Sequence, residues 1–129
     1  RAVAARAGDR CDYCGLAQAG QEATFHVDHI VPRTDNGPTT AENLALACVS
    51  CSLRKEARRS AFDPATRRTV PLFHPRRQRW RTHFRWGGVR IVGITPTGRA
   101  TAAALQMNRS LILAIRGEES GRGRHPPPN

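Results

Sequence analysis

The sequence predicts an α+β fold: a small ββα core clipped by a four-cysteine zinc site, followed by a β-hairpin and two helices. Three observations lead there. All four cysteines fall in two Cys-x-x-Cys pairs, Cys11/Cys14 and Cys48/Cys51. Between the pairs, Thr24 to Val31 alternates along a short strand that Pro32 ends, and Leu44 to Ala47 reads as a second strand leading into Cys48. Only 39% of the 129 residues are hydrophobic, so the core is small and a bound metal would supply much of the missing stability.

Two residues between paired cysteines let both sulfurs point at one ion, and four thiolates make a tetrahedral zinc site. Such a site is closed and therefore structural rather than catalytic. Disulfides are the competing reading. Adjacent Cys-x-x-Cys disulfides belong to redox proteins, and no βαβ pattern accompanies these pairs. Cysteines arranged as metal ligands favour a reducing cytoplasm, and no run is long enough to span a membrane.

The elements follow in order. Val3 to Asp9 reads as a short helix that ends at Gly8, before the first cysteine pair. In the first strand Phe25, Val27 and His29 share one face, and His26, Asp28 and Ile30 the other. Residues 33–38 are loop chemistry, with a turn at Asn36-Gly37. Thr39 and Glu42 have capping-box spacing, which predicts one helical turn. Good helix formers from Ser50 to about Arg59 predict a helix with Arg54, Lys55 and Arg58 on neighbouring turns.

Beyond Ala61 the character changes, which divides the chain into a core at 1–60, an extension at 61–119 and a disordered tail at 120–129. The stretch from Phe62 to Pro71 reads as a turn-rich connection. Trp80, Thr82, Phe84 and Trp86 share a strand face, Gly87-Gly88 makes a hairpin turn, and Val89 to Ile94 returns. Thr97 caps a helix to about Met107, and Leu111, Ile112 and Ile115 form the apolar face of the last helix. The tail ends in Pro-Pro-Pro-Asn.

Charge points to a partner. There are 21 basic residues against 10 acidic ones, a net charge of +11 and a pI near 11.4. An excess of this size suits nucleic acid or another anionic surface. A preference for arginine codons would explain arginine over lysine, but not the shortage of acids. From Leu53 to Arg90 there are 12 basic residues and 2 acidic ones, Glu56 and Asp63. This stretch, with Arg54, Lys55, Arg58 and Arg59 at its head, is the expected surface for the phosphate backbone of DNA. Trp80 and Trp86 are read as hairpin core rather than as base-stacking platforms, and His74, His83 and His125 are given no role.

The residues Cys11-Asp-Tyr-Cys14, His26-Val-Asp-His-Ile-Val-Pro32, Asn43-Leu44 and Cys48-Val-Ser-Cys51 with Lys55 resemble the HNH endonuclease motif of the ββα-metal nucleases. That resemblance covers residues 8–60. Val70 to Arg76, His83-Phe-Arg-Trp86 and Thr95 to Thr101 are similar to the C-terminal extension of stand-alone bacterial HNH proteins. The resemblance implies metal-dependent hydrolysis of DNA phosphodiester bonds. Such a bond resists attack because its oxygens are anionic and its leaving alkoxide is poor, so the reaction needs an activated water and positive charge at the phosphate. An imidazole is largely unprotonated at neutral pH and can take the water's proton, which makes His29 the general base. Asp28, facing the other way, would hold a catalytic Mg²⁺ or Mn²⁺. Asn43 would brace the loop that aims His29. The family places His or Asn directly after the last cysteine, where this chain has Ser52, a weak neutral ligand. His26 shares the strand parity of Asp28 and is the candidate to fill that gap, which would favour transition metals over Mg²⁺. A nucleic-acid-binding module with weak or lost cleavage is the alternative that Ser52 raises.

Overall fold

The computed structural model describes residues 2–128. It is α+β, with five helices and three two-stranded antiparallel sheets. Helix α1 (Ala2–Arg6) is shorter than its sequence suggests, because Gly8 and Asp9 both take positive φ and turn the chain into the first cysteine knuckle. Strands β1 (His26–His29) and β2 (Leu44–Ala47) pair in the register His26↔Ala47 to His29↔Leu44. Helix α2 (Val49–Lys55) follows at once, which completes the ββα unit. Cys48 caps α2, its sulfur accepting from the Cys51 amide at 3.4 Å.

Helix α2 stops at Lys55 rather than near Arg59. Glu56 adopts φ 48°, ψ −129°, a conformation that breaks the helix and is rare for any residue but glycine. Between β1 and β2 the expected capping box does not form. Thr40 precedes a 3₁₀ turn at Ala41–Asn43 without a side-chain cap, and the Thr39 hydroxyl goes elsewhere. Gly37 closes this loop: a Cβ there would overlap the carbonyl oxygen of Val31.

In the extension, the segment read as a connection is a hairpin, β3 (Ser60–Asp63) with β4 (Arg68–Pro71). Trp80 to His83 forms a helical turn, α3, so the next strand β5 begins at Phe84. Strand β5 (Phe84–Gly87) pairs with β6 (Arg90–Gly93), but Gly87 belongs to the ladder opposite Arg90 and the turn is Gly88-Val89, one residue later than expected, with Gly88 at positive φ. Helix α4 (Pro96–Ala104) is capped by Thr95, whose Oγ1 accepts from Gly98 N at 3.0 Å, not by Thr97, which bonds the carbonyl of Pro71.

Helix α5 (Ser110–Gly121) buries Ile112, Arg116 and Glu119, while Leu111 is left 64% exposed. Residues 122–128 differ from a disordered tail in packing back on the core. Arg124 binds the Glu119 carboxylate, its carbonyl accepts from Arg10, and His125 meets Trp86 edge-on. One hydrophobic cluster runs from Cys11 to Ile112, so core and extension share their interior. Trp80 and Trp86 stack beside it as hairpin core.

Asp63 fastens β3–β4 to α4. It is fully buried and accepts from Arg99 at 3.0 and 3.1 Å, and from the Thr66 hydroxyl and the amides of Ala65 and Thr66. The Arg99 guanidinium, above the opposing cost of burial, holds this carboxyl well below the usual range. The folded form thus binds its proton less tightly than the unfolded chain does. Its stabilisation is complete above about pH 4 and is lost as pH falls below that. Asp63→Asn is therefore expected to melt lower than wild type at pH 7, with the gap between the two Tm values closing toward pH 3. A gap that is absent at pH 7 or unchanged at pH 3 would contradict this account.

Candidate active site and metal centre

The metal centre is built by two knuckles brought together across β2. The ligand atoms of Cys11, Cys14, Cys48 and Cys51 all lie within 4.8 Å of one another, the four residues are buried, and none is in a disulfide. Cys14 Sγ and Cys48 Sγ are 3.7 Å apart. A tetrahedron with metal–sulfur bonds of about 2.3 Å has edges of about 3.8 Å, so this pair already has the length of such an edge and the cluster suits zinc. Hydrogen bonds from the other three sulfurs hold the Cys48 thiol far below its ordinary range. Burial pushes Cys11 up, and the neighbouring sulfurs push Cys51 up. Four buried sulfurs that cannot all ionise alone are a cluster that a dication neutralises.

The second feature is a cleft of about 260 Å³. Asp28, His29, Ser52 and Glu56 line it together with the loop residues Pro32 to Thr34. Strand β1 brings Asp28 and His29 there, both half-buried, and α2 brings Ser52. His26 does not line the cleft. Its Nδ1 lies 2.8 Å from Ser52 Oγ, so the expected common face of His26 and Asp28 holds through a bond to the helix. The partner face is less regular: Phe25 is buried as expected, whereas Val27 is 48% exposed.

His29 Nε2 lies 2.8 Å from the Thr39 hydroxyl. Asn43, itself buried, ties this loop together. Its Oδ1 accepts from Val31 N at 2.8 Å, and its Nδ2 donates to the carbonyls of Val31 and Pro38. Its main-chain carbonyl accepts from Ile30 N. Asn43 thus holds both the residues that follow His29 and the residue before Thr39.

The basic residues expected to meet DNA fall into three environments. Arg58 and Arg59 are exposed beyond the end of α2. Arg58 donates to the carbonyls of Arg54 and Ala104, and Arg59 reaches only a loose 4.0 Å pair with Asp35. Arg54 is half-buried on α2. Lys55 differs from the expectation: it is 3% exposed, and its ammonium donates to the carbonyls of Ile30 and His29 at 3.0 and 3.5 Å. Burial pushes its pKa down, with Asp28 partly restoring it. The reason is steric. The helix ends there, and the long side chain runs inward beneath β1 instead of outward.

Three contributors were not legible in the sequence. Thr39 looked like a helix cap and instead contacts His29. Glu56 was given no role and lines the cleft on a strained backbone. Arg116 is 2% exposed, donates to Val89 O and stands 5.4 Å from the Trp86 ring. Burial depresses its pKa, while the sulfurs of Cys14 and Cys51 oppose that shift, so this cation sits in the field of the cysteine cluster. An arginine at i+4 from Ile112 with Glu119 three residues on gives no apolar signal of burial.

Comparison with curated proteins found no match, and comparison with solved structures found none either. The HNH endonuclease family model matches residues 11–58. That span runs from the first cysteine of the metal centre through both strands, the Asp28–His29 pair and α2. The segment from Cys11 to Arg58, with four clustered cysteines and a ββα unit at those positions, is thus similar to an HNH endonuclease domain.

Proposed function

We propose that this protein is a metal-dependent endonuclease that hydrolyses DNA phosphodiester bonds. The observation that carries the reading is the cleft: an acid and an imidazole adjacent on one strand, lining one concavity with the helix that follows the second cysteine pair. With Nε2–H donating to Thr39 Oγ1, His29 keeps the lone pair of Nδ1 for the proton of an attacking water. Thr39 and Asn43 act as positioning residues, since they hold the loop against which the imidazole rests. Asp28 supplies the carboxylate for a cation, with Ser52 as a further candidate ligand and His26 behind it.

A divalent ion such as Mg²⁺ or Mn²⁺ would there supply positive charge to the phosphate and the leaving oxygen. The donor set suits this. Among the described residues only the cysteines bring three His, Cys, Asp or Glu ligands together, so the cleft offers one or two carboxylates and no cage. Mg²⁺ typically binds that way, keeping several waters and completing its shell with substrate phosphate. The four sulfurs would hold structural Zn²⁺. Cysteines clustered as metal ligands suit a reducing cytoplasm.

Ser52 supports a second reading, a zinc-stabilised nucleic-acid-binding module whose cleavage is weak. Its hydroxyl is engaged with His26 and is a poor ligand in any case. One experiment separates the two. Purified protein is incubated with supercoiled plasmid and Mg²⁺, Mn²⁺, Ni²⁺ or EDTA, beside Ser52→Asn. The nuclease reading expects nicked or linear product from wild type with a divalent ion, and more product with Mg²⁺ from Ser52→Asn. Product from Ser52→Asn alone favours the binding module, and product from neither protein ends the nuclease reading.

A further inference from the structure

A second cavity, of about 270 Å³, adjoins the cleft. The cleft takes Ser52, Glu56 and Ala57 from the end of α2, and the cavity takes Lys55, Arg58 and Arg59, so this segment is a wall common to both. Ile30 and Val31 of the cavity directly follow His29 of the cleft. The remaining polar lining comes from the extension, outside the family match: His74, Arg77 and Gln78. No acidic residue lines it.

The hydrogen-bond arrangement leaves these groups as donors. His74 Nδ1 accepts from the amides of Arg76 and Arg77, both at 3.2 Å, so the ring proton is on Nε2. Gln78 Oε1 accepts from His74 N at 2.8 Å, which leaves its NH₂ to donate. Arg77 is exposed and makes no side-chain hydrogen bond or ion pair among the described residues. Arg59 has only its 4.0 Å pair. Burial first, and then the charges of Arg77, Arg76 and Lys55, push the His74 pKa down, which keeps the ring a neutral N–H donor amid cations.

We propose that this cavity is a subsite for one backbone phosphate of the nucleic acid, flanking the bond held in the cleft. The assignment rests on the nuclease reading above. A phosphate group offers only acceptor oxygens and negative charge, and this lining offers cations and donors with no carboxylate to repel it. Small-molecule sites typically measure roughly 300–1,000 Å³, so the cavity suits a phosphodiester group better than a whole nucleotide. The basic floor and rim match the charge of that group, and the shared wall puts it beside the candidate catalytic residues.

The test is binding of labelled duplex DNA, without added divalent ions, followed by anisotropy across a salt series. The proteins are wild type, Arg77→Ala, Arg77→Lys and, as a control outside the cavity and the basic stretch, Arg122→Ala at the exposed end of α5. Removing one phosphate contact lowers the slope of log K against log salt by about 0.9, equivalent to roughly fivefold weaker binding at 0.15 M salt. That loss is expected for Arg77→Ala, with Arg77→Lys retaining most of the slope and Arg122→Ala changing little. Arg77→Ala behaving like Arg122→Ala would overturn the subsite. So would ³¹P broadening of inorganic phosphate that depends on Arg77 while DNA binding does not, since the site would then serve a free anion. The two readings fail separately. Wild type that nicks plasmid while its binding ignores Arg77 loses the subsite alone. Wild type that binds DNA through Arg77 but nicks nothing keeps the subsite and loses the nuclease.

Discussion

Replacing Cys51 with Ser is expected to abolish cooperative melting and most of the near-UV signal, and stripping zinc with a strong chelator should do the same to wild type. Structural zinc contributes on the order of 10 kcal/mol in small zinc peptides. Whole domains are stable by only about 5–15 kcal/mol. The four cysteines are also part of the hydrophobic cluster, so an empty or broken site leaves buried polar sulfur where the core should close. Cys48→Ala should cost more than a ligand, because its sulfur also caps α2. Elemental analysis should find one zinc per chain. A chain with no zinc, or one that melts unchanged after Cys51→Ser, would refute the metal clip.

The second large effect is on chemistry alone. His29→Ala is expected to lower plasmid cleavage by roughly 10²–10⁴, the usual worth of a general base. Zinc content, circular dichroism and DNA binding should stay close to wild type, because His29 is half-buried and its side chain bonds only to the Thr39 hydroxyl. Asp28→Ala should lose cleavage as well, but through weaker cation binding, so excess Mn²⁺ should partly restore it while leaving His29→Ala inactive. Equal cleavage by wild type and His29→Ala would remove this cleft from consideration as the active site.

The legible parts of the chain were those in which residue type and spacing act locally. Paired cysteines, the alternating strand before Pro32 and the glycines near the β5–β6 turn each specify their own neighbourhood, to within one residue at that turn, and the ββα unit with its cysteine cluster follows from the first two. The illegible parts depend on distant partners. Residues 60–71 carry turn formers that read as a loop, yet Asp63 organises them into a hairpin by bonding Arg99, 36 residues away. Trp80 has strand propensity, but its indole N–H donates to the carbonyl of Tyr13, and the chain makes a helical turn to reach it. The face of helix α5 was read in part: Ile112 and Ile115 pack on the core as expected, but Leu111 is exposed and the helix also buries Arg116 and Glu119, which no apolar periodicity can announce. In the candidate site the same distinction holds. Asp28, His29 and Ser52 line one cleft, whereas Lys55 turned inward because α2 ends at Glu56, a conformation that its residue type does not signal.

The contact between Trp80 and Tyr13 has a spectroscopic consequence. Tyr13 sits between the two cysteines of the first knuckle, and Trp80, bonded to its carbonyl, stacks on Trp86. The chain has two tryptophans and one tyrosine, so its strong intrinsic fluorophores are the stacked indole pair and the tyrosine whose backbone that pair is bonded to, beside the first cysteine knuckle. Ultraviolet emission of the unlabelled protein therefore reads the state of that knuckle directly, with no background from chromophores elsewhere. Metal exchange and unfolding can be followed in real time in the same cuvette as cleavage, which separates a dead catalyst from an empty clip without an added dye.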